Sequence, residues 1–197
     1  MRLSEAKKDH FRKLAKEEGY SSRASYKLLQ IQAKYRILKP NYYVIDFGCA
    51  PGGWLEVASK EVGDGLVIGI DKKPLKMQLE NVRILTNDIF DYDAEFKILT
   101  ILPRKADVVL SDLAPNISGV WEVDHVKQIN LCRRVIELLP KILTKGGSAV
   151  LKVFEGPHLK EFVNQIGNGF GYVDIAKPLA SRTASSELYI VCKNYSC

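Results

Sequence analysis

The sequence predicts an α/β fold: a mostly parallel, seven-stranded sheet with an antiparallel C-terminal strand, helices on both faces and a short basic helical extension at the N-terminus. Three observations carry this prediction. From Tyr42 onward, five short β-rich runs alternate with helical stretches, the pattern of units that build a parallel sheet covered on both sides. Two further runs, YVDIAKP and LYIVCKN, are joined only by a polar stretch containing ASRTASSE, too short for a crossover, so they should pair antiparallel. The basic excess is confined to the start of the chain. Residues 1–40 hold 11 Lys and Arg against 4 Asp and Glu, and the remainder holds 18 against 19.

Within that extension, Ser4 is the expected cap of a first helix and Gly19 its stop. A second helix is expected over residues 22–37, with Leu28, Leu29 and Ile31 among its apolar positions, and Pro40 ends the arm. The five runs are YYVIDF, LVIGID, VRILTND, ADVVLSD and SAVLKVF. Between them come the helical stretches GGWLEVASKEV, a turn of helix started by Pro74, DAEFKILTIL and VDHVKQINLCRRVIELLPKIL. Pro140 should kink or end the last of these early. A further helix is expected over residues 158–166, ahead of the hairpin.

A chain of 197 residues suits one domain and buries roughly 70% of its unfolded surface, so it needs no disulfide or metal staple. The boundaries are residues 1–40 for the extension and 41–197 for the core, with no repeat or linker between them. No apolar run approaches the roughly 18 residues of a membrane span. MRLSEAKKDHFRK carries no apolar signal region behind its charges. A cytoplasmic, membrane-free protein is expected, and no segment suggests oligomerisation, so a monomer. Cys49, Cys132, Cys192 and Cys197 form no CxxC pair, and the three histidines are far apart in sequence. Free thiols are expected, and no metal. The basic block attracts polyanions, nucleic acid first among them.

Ligands of open α/β sheets bind beyond the carboxyl ends of the strands. The first strand ends in DFGCAPGGW, where Gly48, Gly52 and Gly53 let backbone approach a ligand. This is not the GxGxxG fingerprint, and Pro51 removes one N–H donor, which disfavours a pyrophosphate cradle and a nicotinamide oxidoreductase. A nucleoside with an amino-acid tail fits better. LVIGID ends in Asp71, placed to accept both ribose hydroxyls. VRILTND ends in Asp88, placed to accept an adenine amino group, and ADVVLSD ends in Asp112, beside the reacting centre. Three strands each ending in Asp is more than packing requires.

DFGCAPGGW, SDLAPNISG, LKVFEG and SRTASSELYIV, with SSRASYKLLQI upstream, resemble the motifs of the FtsJ-type ribose 2′-O-methyltransferases over nearly the whole chain. The resemblance implies a Rossmann-like S-adenosylmethionine-dependent methyltransferase fold and a catalytic tetrad Lys27, Asp112, Lys152 and Glu187. It implies cofactor contacts from Gly52, Trp54, Asp71, Asp88 and Asp112, with S-adenosylmethionine as cofactor. Cys49 stands where a small residue is common in the family. The compact form with a short basic helix is similar to the members that modify a uridine in the A-loop of large-subunit ribosomal RNA. The implied partner is therefore that RNA or the assembled large subunit. The alternatives are the anticodon loop of transfer RNA, an mRNA cap, or an inactive RNA-binding ribosome-assembly factor.

The tetrad suits the chemistry. A protonated ribose hydroxyl is a poor nucleophile, and in-line attack on a sulfonium methyl needs positioning and help with the proton. Lys152 is the expected proton acceptor or steering group, Asp112 its orienting partner, and Lys27 and Glu187 the groups that fix the array. Lys152 would otherwise read as an edge residue reaching solvent. Arg23, Lys34, Arg36, Lys39 and the first helix can hold phosphates. Arg182 is expected near the target strand, and Tyr26 or Trp121 could stack a base.

Overall fold

The structure, a computed structural model, describes residues 3–182 and 185–196. Helices α1 (Leu3–Glu17) and α2 (Ala24–Tyr35) precede the sheet. The strands and their connecting helices follow as β1 (Tyr43–Phe47), α3 (Gly53–Val62), β2 (Leu66–Asp71), β3 (Val82–Thr86), α4 (Ala94–Ile101) and β4 (Ala106–Ser111). The chain continues through α5 (Trp121–Ile142), β5 (Leu143–Phe154), α6 (Leu159–Gly167), β6 (Phe170–Ala176) and β7 (Glu187–Tyr195). The strand order is β3-β2-β1-β4-β5-β7-β6. The β1–β2, β1–β4, β2–β3 and β4–β5 pairs are parallel, and β7 runs antiparallel to both β5 and β6. This is the Rossmann-like methyltransferase arrangement that the alternation of runs and the short last connection predict.

The central strands are apolar on both faces because helices cover both. On one side, Leu28 and Ile31 of α2 and Leu55 and Ala58 of α3 pack on Val44, Val108 and Val150. On the other, Ile98 of α4, Val135 and Leu138 of α5 and Phe162 of α6 pack on Ile45, Val109 and Leu151. Alternate residues of one strand serve the two cores, as a strand buried on both faces requires. Among the described residues, no helix is long and apolar enough to cross a membrane.

Four local expectations need correcting. Helix α1 already includes Ser4, so Ser4 is not its cap, although Gly19 with φ +76° does follow its end. Residues 74–79 are not helical. Leu75, Met77 and Leu79 are the half-buried positions of this stretch and pack on the α3 side, so the apolar spacing is two rather than three to four, and Pro74 opens an extended stretch. Strand β3 stops at Thr86, which leaves Asp88 in the loop beyond it. Helix α5 runs two residues past Pro140, so the helix does not end at that proline. A proline so near the end removes one backbone donor from the last turn, and the C-cap N–H of Leu143 still bonds Leu139 O. Distance along the chain also hides one pairing: the His125 and His158 rings stack with centroids 5.6 Å apart.

Helix α2 and the turn before it are fastened to α3 by polar contacts. Trp54 Nε1 donates to Ala24 O at 2.9 Å, Gln32 Nε2 donates to Glu61 Oε2 at 2.8 Å, and Ser21 N donates to Glu56 Oε2 at 2.8 Å. These fix where α2 lies against the sheet, and so where Lys27 points.

Candidate active site

The order of the strands reverses between β1 and β4, so their carboxyl ends open a crevice there. A cleft of about 550 Å³ occupies it. Asp71, Asp88 and Asp112, from the ends of three strands or the loops after them, all line this cleft, and Phe47, Ile70 and Phe90 supply apolar wall. Gly48 sits at φ +78°, and a Cβ there would stand 2.9 Å from Leu113 N. Only glycine allows the loops after β1 and β4 to approach so closely. Gly52 caps α3 at φ +112°, where a Cβ would meet the Met77 side chain.

The acidic ends are held by backbone donors. Asp71 accepts from Ala50 N at 3.0 Å and from Lys73 N at 2.8 Å, and Asp88 Oδ1 accepts from Phe90 N at 3.0 Å. Gly52 and Trp54 do not line the cleft. Trp54 is buried, with its indole N–H on Ala24 O and its ring 5.6 Å from Tyr189.

One carboxyl that sequence reasoning does not single out is Asp46 of β1. It is fully buried and neither oxygen has a hydrogen-bond partner. Burial, with Asp112 and Asp71 close enough to repel, pushes its carboxyl well above the ordinary range. Asp71, Asp88 and Asp112, lining one cleft beside the glycine-rich loop, make a site that favours a cationic ligand rich in donors. S-adenosylmethionine, with its sulfonium, ammonium, ribose hydroxyls and adenine amine, fits that donor demand. Asp71, Asp88 and Asp112 are the groups able to hold it.

The four tetrad residues meet on the α2 side of the sheet. Lys152 Nζ donates to Asp112 O at 2.5 Å and lies 3.2 Å from Asp112 Oδ1. Lys27 Nζ lies 2.9 Å from Glu187 Oε2. Lys152 is 4% exposed and Lys27 5%, and β5 is flanked by β4 and β7, so Lys152 is not an edge residue. Its backbone carbonyl accepts from Gln128 Nε2 at 2.7 Å and from Cys132 Sγ at 3.1 Å, and Gln128 also donates to Leu113 O at 3.1 Å. The buried Gln128 amide thus ties β5 to the loop after β4.

Tyr189 joins the two ion pairs, and sequence reasoning misses it. Its hydroxyl donates to Asp112 Oδ1 at 2.8 Å, and Lys27 Nζ lies 5.7 Å from its ring centre. Burial, then the charges of Asp112 and Glu187, push its phenol well above the ordinary range, so it remains a donor. SSELYIV shows only that Tyr189 is two residues from Glu187, and so on the same strand face; its pairing with Lys152 comes from the sheet register. Arg23 and Arg182 also converge near Glu187 and Tyr189. Burial, then Arg182, lowers the Arg23 guanidinium from its ordinary value. Arg182 is exposed. Tyr26 instead packs between the rings of Phe11 and Tyr20, and Trp121 lies beside Phe154 and His125.

For the Glu187 carboxyl, burial acts upward. The charge and hydrogen bond of Lys27, the charge of Lys152 and the Ser185 hydroxyl outweigh it, and the net shift is downward. A lowered carboxyl stabilises the fold above its unfolded value, and that stabilisation is lost as pH falls through the folded one. Glu187→Gln should therefore melt lower than the parent at neutral pH, because Lys27 is left buried without its partner. Its melting temperature should also fall less than the parent's between about pH 5 and 3. Parallel thermal scans check this, and equal slopes would contradict it.

A family profile described as FtsJ-like methyltransferase matches residues 20–195. The chain is 43% identical over 196 residues to a ribosomal RNA large subunit methyltransferase E of Nitrosopumilus maritimus, covering 99% of each chain. It is 43% identical over 195 residues to the protein of that description in Methanocaldococcus jannaschii, covering 96% of this chain and 80% of the relative. A crystal structure of a ribosomal RNA methyltransferase from Plasmodium falciparum superposes with a TM-score of 0.80 at 30% identity, covering 89% of this chain and 98% of that one.

Proposed function

Since the chain belongs to the FtsJ-like methyltransferase family, we propose that it methylates a ribose 2′-hydroxyl of RNA, with a uridine in the A-loop of large-subunit ribosomal RNA as target. Family and fold make it an S-adenosylmethionine-dependent methyltransferase. The observation that carries the finer reading is the Lys152–Asp112 pair, with Lys152 Nζ held by Asp112 where the cofactor cleft meets the tetrad.

When bound, S-adenosylmethionine supplies a methyl group on a cationic sulfur that leaves as a neutral thioether. The chain's own residues act on the other reactant. Asp112 engages Nζ of Lys152 through its carbonyl and its carboxylate, using two of the three positions around the nitrogen. The third would be left for the 2′-hydroxyl and, in the neutral amine that proton acceptance requires, would carry the lone pair. Lys152 steers the hydroxyl oxygen toward the methyl carbon and takes its proton as the C–O bond forms. Tyr189 and Lys27 hold Asp112 and Glu187 in place. Asp71 and Asp88 would accept from the ribose hydroxyls and the adenine amine, and Gly52 and Trp54 support the loop and helix start behind them.

Cofactor binding and chemistry should separate. Asp88→Ala should weaken S-adenosylmethionine binding by about 1–3 kcal/mol, because a donor loses its acceptor. Lys152→Ala should leave that affinity nearly unchanged. Calorimetric titration of both variants checks this, and the reverse order contradicts both roles.

The basic arm should act through phosphates. Replacing Arg12, Lys13 and Lys16 by Gln should weaken RNA binding and lower the slope of log affinity against log salt by roughly 0.7–0.9 for each phosphate no longer neutralised. S-adenosylmethionine affinity should stay the same. An unaltered slope would make the arm a solvated helix face.

The target is tested by transfer of isotopically labelled methyl to unmodified large ribosomal subunits, free large-subunit RNA and transfer RNA in parallel. Acceptance by the first two supports the reading, and acceptance by transfer RNA alone overturns the ribosomal target.

A further inference from the structure

We propose that the groove between α2 and the connection after β6 is a second nucleotide subsite, which holds an unpaired base of the substrate strand next to the nucleotide being methylated. The proposal rests on the reading of the protein as an RNA methyltransferase. The groove has a volume of about 300 Å³. Its apolar surface comes from Ile31 and Tyr35 of α2, Ile175 of β6 and Leu179 beyond it, and Lys34 and Lys177 stand at its rim. Leu179 is 76% exposed and Ile175 41%, so two large apolar side chains lie open to solvent at a concave surface.

The occupant follows from charge, continuity and size. Lys34 lies 3.2 Å from Asp174 and shares its charge with that carboxylate, whereas Lys177 forms no ion pair among the described residues. Lys193 Nζ donates to Tyr35 O at 3.1 Å just behind the groove. Three cations against one carboxylate leave the surroundings positive, which suits a polyanion. Lys27, Ile31 and Lys34 are spaced i, i+4, i+7 on α2, so the candidate site and the groove share one helix face. The rise from Lys27 to Lys34 is about 10 Å, short enough for a nucleotide near the target ribose to reach the groove.

The volume is at the small end for ligand pockets. It accommodates a flat base but not a helix. The Gln30 amide oxygen accepts from Ala180 N at 3.2 Å, which orients the amide and leaves its NH₂ group as a donor toward a base carbonyl. Splayed, unpaired bases lying on apolar side chains with their phosphates on lysines is how single-stranded RNA is commonly held.

The test uses Leu179→Ala, at an exposed position where folding is not at stake, and Lys177→Gln. The probe is a fluorescein-labelled single-stranded oligouridylate of about 12 nucleotides, a length within one binding site's reach, compared with a duplex of the same length. Leu179→Ala should weaken single-strand binding about fivefold with the salt slope unchanged, because the base covers less apolar surface. Lys177→Gln should weaken it and lower the slope by about 0.7. With ribosomal RNA as methyl acceptor, both variants should raise KM for RNA and leave kcat within about twofold, as expected when uniform binding is weakened.

Single-strand binding by Leu179→Ala within twofold of the parent, or an equal loss for the duplex, would overturn the subsite while leaving the methyltransferase reading intact. Failure of the parent protein itself to bind or methylate RNA would overturn both.

Discussion

Lys152→Ala should lower the single-turnover rate of RNA methylation by a factor of roughly 10² or more, the range supplied by positioned acid–base groups. Lys152 is buried on a central strand, its carbonyl is fixed by Gln128 and Cys132, and its amine is fixed by Asp112. No other lysine amine is held against the loop after β4 in this way among the described residues, so the missing group has no stand-in. Lys152→Arg separates the two ways the amine could act. A guanidinium is permanently charged and broader than an amine, so it can steer a hydroxyl but cannot take its proton. Proton acceptance predicts that the Arg variant falls nearly as far as the Ala variant. Recovery of much of the rate by Arg would contradict proton acceptance and leave only the steering role.

Asp112→Asn should be comparably severe in rate, again by roughly 10², and unlike Lys152→Ala it should also weaken S-adenosylmethionine binding. The amide keeps the shape and the backbone carbonyl still accepts from Lys152, but the charge that faces both the amine and the cleft is gone. It also presents the Tyr189 hydroxyl with a weaker acceptor. Because Asp112 acts through Lys152, the effects should not add. Lys152→Ala combined with Asp112→Asn should lose little more rate than the worse single variant. Losses that multiply would mean that the two residues act independently, against the geometry of a single hydrogen-bonded unit.

Much of this site is legible in the sequence because its residues sit at positions that the strand pattern defines. Asp71 ends β2, where the alternation of runs puts it, Asp112 follows directly on the last residue of β4, and Lys27 and Glu187 meet because α2 packs over the face that β7 presents. Asp88 lines the cleft from a loop rather than a strand, since β3 ends two residues earlier than its apolar run suggests. Tyr189 and Asp46 are not legible in the same way. Each falls at an ordinary buried position of a strand, and what distinguishes them is a neighbour across the sheet: Lys152 and Asp112 for Tyr189, Asp71 and Asp112 for Asp46. Register is set by pairing between distant segments, and a single sequence does not display it.

Residues 74–79 mislead for a local reason. Proline suits both a helix start and an extended segment, and the alternating exposure of Leu75, Met77 and Leu79 distinguishes the two only once the apolar face of α3 is in view. The aromatic expectations divide similarly. Tyr26 serves the packing of α1 on α2, while Trp121 keeps part of its ring exposed beside Phe154.

In the reaction proposed for this protein, the accepting atom is a ribose oxygen of RNA. The most direct measurement is to incubate the protein with methyl-labelled S-adenosylmethionine and unmodified large ribosomal subunits, hydrolyse the RNA in alkali, and identify the labelled products by mass spectrometry. Alkaline cleavage requires a free 2′-hydroxyl, so a 2′-O-methyl group protects the linkage on its 3′ side. The label should appear in an alkali-resistant dinucleotide that yields 2′-O-methyluridine on enzymatic digestion. Label carried by a base within fully cleaved mononucleotides, or no label above that of Lys152→Ala, would contradict it.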